Sequence, residues 1–280
     1  MGRLSRIAKA VMRELHFERT TAVEIPVPTG DVSLEGKLAL ITGGTSGIGL
    51  ECARAFVARG CSVVVAGRNQ DKIDDVLKEL PADKAAGMQI NVRDVASLEA
   101  RVEEAAQLFP GFSGIDILVN AAGIMKCPHI DDIDQELWDA VIETNLRAPF
   151  FLSRAVAHHM MDRHIHGHIL NISSSASARN AKSPYEISKW ALNGMTLGLA
   201  EQLIRDGVVV NAVAPGPTAT PMLGLRRDGN LTHLANPSGR YADPREIANL
   251  ACLLVSNYGD LVVGQTVYAT GGAGTVCIDK

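Results

Sequence analysis

Two residues with an obvious joint use are Tyr185 and Lys189, four positions apart in Ser183-Pro184-Tyr185-Glu186-Ile187-Ser188-Lys189. Ser183, Pro184 and Glu186 together read as a helix start: a hydroxyl cap, a proline where no amide hydrogen is needed, and a carboxylate that reaches back to the cap. On a helix beginning there, Tyr185 and Lys189 share a face. A phenol with a pKa of about 10 exchanges protons poorly at neutral pH, but an ammonium group and a helix N-terminus both favour its anion. In that setting Tyr185 can act as a general acid when a carbonyl is reduced and as a general base when an alcohol is oxidised.

A second chemical feature stands near the start of the chain. Thr42-Gly43-Gly44-Thr45-Ser46-Gly47-Ile48-Gly49 follows an apolar run and leads into a helical segment, residues 50–59. Glycines let the backbone turn tightly and approach a pyrophosphate, and the free amides at the helix start attract the anion. Because the loop lies between a strand and a helix, it meets the context that a dinucleotide cradle requires.

The elements that must hold these residues can be read from periodicity. From residue 37 onward, short β-rich runs alternate with amphipathic helices, the pattern of a parallel sheet covered on both faces. The strands are expected at 38–42, 62–66, 85–90, 115–119, 168–172, 208–213 and 265–268. The expected fold class is therefore α/β, a single doubly wound Rossmann-type domain with a seven-stranded parallel sheet, spanning residues 36–280. Ligands of such sheets bind beyond the carboxyl ends of the strands, so the loops after each strand are the place for chemistry. Residues 1–35 read as an N-terminal extension, with Leu4, Ile7, Ala8, Val11, Met12 and Leu15 on one face of a helix and a Pro- and Gly-containing linker at 25–36.

The TGxxxGxG spacing, Asn120-Ala121-Ala122-Gly123 after the fourth strand, Tyr185-x-x-x-Lys189 after the fifth and Pro215-Gly216 after the sixth occur in the order and spacing of one known group. Over residues 37–272 the chain resembles the single-domain branch of the short-chain dehydrogenase/reductase family. The resemblance implies an oxidoreductase that interconverts a ketone and a secondary alcohol by hydride transfer with a nicotinamide cofactor. It assigns Asn145, Ser174, Tyr185 and Lys189 to catalysis, with Lys189 also holding the nicotinamide ribose. The Asn171-Ile172-Ser173-Ser174 segment selects Ser174, but the eleven residues from it to Tyr185 are fewer than the family's usual interval, so Ser173 and Ser175 stay open. To the cofactor it assigns Thr42, Gly43, Thr45, Ser46, Gly47, Ile48 and Gly49; Asn91 and Val92 at the adenine; Asn120, Ala121, Ala122 and Gly123; and Pro215, Gly216, Thr218 and Thr220 over the nicotinamide.

NADP(H) is favoured over NAD(H). Gly67 stands where NAD-dependent members of the family place a ribose-binding acid, and Arg68 follows, which suits a 2′-phosphate. Asn91 replaces the family's usual Asp and retains an acceptor for an adenine amino group. The resemblance further implies a homodimer or homotetramer built through residues 243–256 and 264–272, and a substrate lid over residues 222–241. In that lid Arg226, Arg227 and His233 are either surface charge or contacts for an anionic or polyhydroxylated substrate, so sugar acid, polyol, acyl-thioester ketone and steroid all stay open.

Composition narrows the partners. With 27 Lys and Arg against 31 Asp and Glu, a net charge of −4, no basic excess points to nucleic acid. No apolar run approaches a bilayer span, and five scattered cysteines without a CxxC pair suit a reducing, cytoplasmic compartment. No metal site is expected: the histidines at 158, 159, 164, 166 and 168 mix a helix end with a turn and lack a carboxylate or thiolate set. Cys127, without a paired base, is expected to be a buried, inert thiol. Two other readings are compatible with these motifs, a catalytically silent NADP(H)-binding sensor or scaffold and an NAD-dependent polyol or sugar-acid dehydrogenase.

Overall fold

The computed structural model describes residues 28–276. The N-terminal helix expected in the first 20 residues lies outside the described residues, as does Cys277. The chain divides into two units, Met1–Asp31 and Val32–Lys280, and every strand and helix named below belongs to the second.

That unit alternates strand and helix. β1 (Leu38–Thr42) leads into α1 (Gly47–Val57), β2 (Ser62–Gly67) into α2 (Gln70–Leu77), and β3 (Ala85–Gln89) into α3 (Leu98–Gln107). After β4 (Ile117–Asn120), α4 (Gln135–Ile142) is joined to α5 (Ala148–Asp162) by a π-helical turn, Glu143–Arg147. β5 (His168–Ile172), the long α6 (Pro184–Leu203), β6 (Val209–Pro215), α7 (Pro244–Leu254) and β7 (Thr266–Ala269) complete the unit. All seven strands are parallel, in the order β3-β2-β1-β4-β5-β6-β7.

Helices cover both faces, so the central strands read as continuous apolar runs rather than alternating ones. Successive residues still point to opposite faces. Leu38 and Leu40 join Leu118, Leu152 and Leu199 in the core under α3, α5 and α6. Ala39 and Ile41 join Phe56, Ile247 and Ala251 under α1 and α7. The second core also takes Leu34, with Val32 packed against it, at the end of the stretch read from sequence as linker. Leu34 is tied by its N–H to the Arg59 carbonyl at 2.9 Å.

The expected strands coincide with the observed ones at β1 and β5 and differ by one or two residues elsewhere. At β4 the expected start, Ile115, is buried but outside the ladder, because its N–H is taken by His159 Nε2 at 3.1 Å. Strand order reverses between β1 and β4, so the loops after these two strands diverge and open a crevice. The segment expected to form a lid contains a 3₁₀ turn, Pro221–Leu223, and is tethered by the bridges Thr218↔Ala242 and Thr232↔Arg240. Among the described residues no helix is long and apolar enough to cross a membrane.

Candidate active site

A cleft of about 900 Å³ runs across the carboxyl ends of the strands, lined by the loops after β1 to β6. At one wall is the glycine loop. Gly43 has a φ of +67°, and a Cβ there would lie 2.7 Å from the Ala122 nitrogen and 2.8 Å from the Ala121 carbonyl, so only glycine lets the two loops approach. The first turn of α1 carries no acidic residue, and Ser46 at its cap makes no side-chain capping bond. Its amides are thus left for an anion in the cleft, where Ser46, Gly47, Ile48 and Gly49 form the wall. This cradle fits a pyrophosphate.

Thr42, Gly43, Thr45, Ala121, Ala122, Gly123, Asn91 and Val92 line the same cleft, as do Pro215, Gly216, Thr218 and Thr220. Asn120 does not. Its amide donates to Ser153 Oγ at 3.0 Å and to Asn171 Oδ1 at 2.9 Å, which locks β4, β5 and α5 together beneath the floor. Asn91 lies at the cleft with its side-chain oxygen accepting from the Arg93 N–H at 3.3 Å.

At the end of β2, a Cβ on Gly67 would stand 2.9 Å from Thr45 Cγ2, so a larger residue there would require the Thr45 side chain to move. Arg68 follows on the cleft wall, exposed, and no hydrogen bond or ion pair among the described residues holds its guanidinium. Lys72 in the first turn of α2 lines the same end of the cleft. The sequence reading missed Lys72; its place three residues after the cap Asn69, whose side chain accepts from the Lys72 N–H, was the available signal.

On the far side of the crevice α6 starts as expected, with Ser183 at the cap, Pro184 in the first turn and the Ser183 hydroxyl accepting from the Glu186 N–H. The helix delivers Tyr185 and Lys189 to the cleft. Lys189 Nζ donates to the Ile172 carbonyl at 2.7 Å and stands 5.8 Å from the centre of the Tyr185 ring. Its side chain is buried, which pulls its pKa down from 10.5 to about 8.

The Tyr185 phenol moves the other way. Burial raises it above its ordinary value of 10.0, a hydrogen bond with Ser174 opposes the rise, and Cys127 and Glu186 add to it. The expected lowering by the ammonium is overridden because Lys189 is turned onto the end of β5 and desolvation of the phenolate prevails. The phenol therefore keeps its proton at neutral pH.

The three serines at the end of β5 are separated by what each hydroxyl does. Ser174 meets the Tyr185 phenol and also accepts from the Ala176 N–H at 3.1 Å. Ser173 donates to Asn193 Oδ1 at 2.6 Å. Ser175 is buried at the start of a 3₁₀ turn, Ser175–Ala178. Geometry thus sets Ser174 beside Tyr185.

Asn145 sits in the π-helical turn and is buried, outside the cleft lining. Its oxygen accepts from the Ile124 N–H at 2.8 Å, and its amide donates to the Ile124 carbonyl at 2.9 Å and to Ser188 Oγ at 3.1 Å. It clamps the loop after β4 to α6, one residue before Lys189.

A polar network missed by sequence reasoning supports Ser174 from behind. Asn193 Nδ2 donates to Ser177 Oγ at 2.8 Å and to the Tyr268 hydroxyl at 3.1 Å, and Ser177 Oγ donates to the Ser174 carbonyl at 2.7 Å. Asn193 lies one turn beyond Lys189, so its face was legible; Ser177 and Tyr268 meet only through the sheet.

Other expectations resolve differently. Cys127 is an exposed free thiol on the cleft, in the segment 121–129, which has no regular secondary structure. The lid side chains are engaged elsewhere: Arg226 pairs with Asp228, Arg227 with Glu51 at 2.6 Å, and His233 stacks on Tyr241. His159 and His168 are structural, bonded to Glu103 and Asp260, and burial pulls His168 down to about 4. Among the described residues no group of three or more His, Cys, Asp or Glu could hold a metal ion.

A doubly wound parallel sheet with an anion cradle after β1 and a Ser–Tyr–Lys set after β5 defines a dinucleotide-binding oxidoreductase. Residues 37–230 match the family described as short chain dehydrogenase. The chain belongs to that family, whose members act on CH–OH groups with a nicotinamide cofactor. It is 35% identical to the 3-oxoacyl-[acyl-carrier-protein] reductase of Escherichia coli K12, over 86% of this chain and 98% of that one. Among solved structures it is similar to actinorhodin polyketide ketoreductase with NADPH (TM-score 0.78, 32% identity, 86% and 98% covered). It is also similar to 3-ketoacyl-(acyl-carrier-protein) reductase from Brucella melitensis complexed with NADH (TM-score 0.78, 29% identity, 86% and 100% covered).

Proposed function

We propose that this protein reduces a ketone to a secondary alcohol with NADPH, using Tyr185 as the proton donor. The observation that carries the reading is the meeting of Ser174, a protonated Tyr185 and the buried Lys189 in the same cleft as the glycine cradle. A reduced nicotinamide cofactor held along the cleft by the glycine loop and Lys189 would supply the hydride for the carbonyl carbon. Ser174 donates a hydrogen bond to the carbonyl oxygen and stabilises the charge that develops there. Tyr185 gives its phenolic proton to that oxygen, so the C=O bond becomes CH–OH and the phenolate is left to be reprotonated. Lys189, with one N–H on Ile172, has two more for the ribose hydroxyls, and its positive charge stabilises the transient phenolate.

The preference for NADPH is supported by Gly67, which carries no acid at the end of β2, and by Arg68 and Lys72, which stand with Asp71 at the same end of the cleft. The free thiols Cys52, Cys61, Cys127 and Cys252 support a cytoplasmic location. A homodimer or homotetramer is supported by apolar side chains exposed on α7 and β7, Leu253 and Tyr268, within the segments expected to associate.

Parallel fluorescence titrations with NADPH and NADH test the reading before any substrate is in hand. Binding of NADPH at least tenfold tighter than NADH is expected. Binding of neither overturns the cradle and with it the function; a preference for NADH overturns the role of Arg68.

A further inference from the structure

Charge along the cleft is segregated by the sheet. Arg68, Asp71 and Lys72 follow β2 and Arg93 follows β3, so these four lining residues stand toward the β3 edge. The residues that line the cleft after β4, β5 and β6 include the apolar Ile124, Met125, Ala176, Met222 and Leu223 together with the Cys127 thiol, Ser174 and Tyr185. Met222 and Leu223 are 49% and 39% exposed, apolar side chains held at the mouth with little covering them.

The charged residues lining that side are Lys189 and Glu186. Lys189 is buried at the floor with its Nζ on the Ile172 carbonyl. The Glu186 carboxylate accepts from the Lys182 N–H at 2.5 Å and from Ser183 Oγ at 3.3 Å, which fixes a negative charge beside Tyr185. The lid arginines that could have met an anion are bound to Asp228 and Glu51 instead. Among the described residues, then, Lys189 is the one cation that lines this side, at the floor and with its remaining N–H groups assigned to the ribose. A carboxylate placed there would lose water, meet apolar walls and face a like charge, while an apolar ring or chain would bury Met222 and Leu223.

We propose that the substrate is an uncharged ketone flanked by apolar ring or alkyl groups, and that Met125, Met222 and Leu223 select it over keto acids. This rests on the cleft being a carbonyl-reducing site, and it names the substrate class for that site.

The test uses the full-length protein and two probes, trans-1-decalone and 5-keto-D-gluconate. Binding is measured by calorimetry on the NADP⁺-loaded protein, where no reduction can occur, and turnover is measured separately with NADPH. Decalone is expected to bind at least 100-fold more tightly than the keto acid. Leu223→Arg, at an exposed site, is expected to weaken decalone about tenfold and strengthen the keto acid about tenfold, with NADPH affinity unchanged. Equal or tighter binding of the keto acid, or binding of neither probe, overturns the proposal. Decalone binding without turnover upholds the apolar selectivity and overturns the reductase reading.

Discussion

Lys189→Met should make this protein more stable and less active at once. The buried ammonium has its pKa lowered from 10.5 to about 8, and each unit corresponds to about 1.4 kcal/mol, so keeping the charge buried costs about 3 kcal/mol at pH 7. Methionine has a similar length and no charge to desolvate. Its cost is the lost hydrogen bond to Ile172, which leaves a buried carbonyl without that donor, about 1–2 kcal/mol. The balance is a gain of about 1–2 kcal/mol, or a rise in Tm of about 2–8 °C. The pH dependence identifies the cause. Between pH 8 and 10.5 the unfolded lysine binds a proton that the folded one has released, so wild-type stability rises with pH across that window. The advantage of the methionine variant should therefore be full below pH 8 and shrink as pH approaches 10.5. Differential scanning fluorimetry from pH 6.5 to 10 measures both quantities. A variant that melts below wild type at pH 7, or a difference that does not change with pH, would refute the account of Lys189 as a buried charge kept for function.

Tyr185→Phe removes the proton donor while keeping the ring, so turnover should fall at least 1,000-fold with NADPH affinity within twofold; ketone reduction at the wild-type rate would remove Tyr185 from the mechanism. Arg68→Ala should weaken NADPH about tenfold or more in a fluorescence titration and leave NADH nearly unchanged, and equal losses would show that Arg68 does not meet the 2′-phosphate. Asn193→Leu cuts the bonds to Ser173, Ser177 and Tyr268 that brace Ser174. It should lower kcat about tenfold with the KM for NADPH unchanged, whereas a parallel rise in that KM would mark a general loss of structure rather than misplacement of Ser174.

The architecture was legible because parallel strands covered on both faces must be apolar throughout, and the expected β1 and β5 match the observed ones at both ends. Local chemistry was legible for the same kind of reason. The α6 cap, the four-residue spacing of Tyr185 and Lys189, and the glycines at β1 are short-range patterns whose geometry follows from the backbone. Of the residues that the family resemblance assigned to a cofactor, all but Asn120 line the cleft.

Tertiary structure decided what depends on partners far away in the chain. Ser174 was separated from Ser173 and Ser175 only by Asn193 on α6 and the Tyr185 phenol. The Tyr185 pKa direction was set by burial, which no spacing encodes, and Lys189 turned to a carbonyl at the end of β5 rather than to the phenol. Arg227 pairs with Glu51, 176 residues away, on the oxygen that Arg54 also meets, so a cation that looked available to a substrate is held against α1. Spacing along a helix or turn is enforced by covalent geometry and so can be read directly, whereas charge, burial and hydrogen-bond choice are settled by whichever segments the fold brings together.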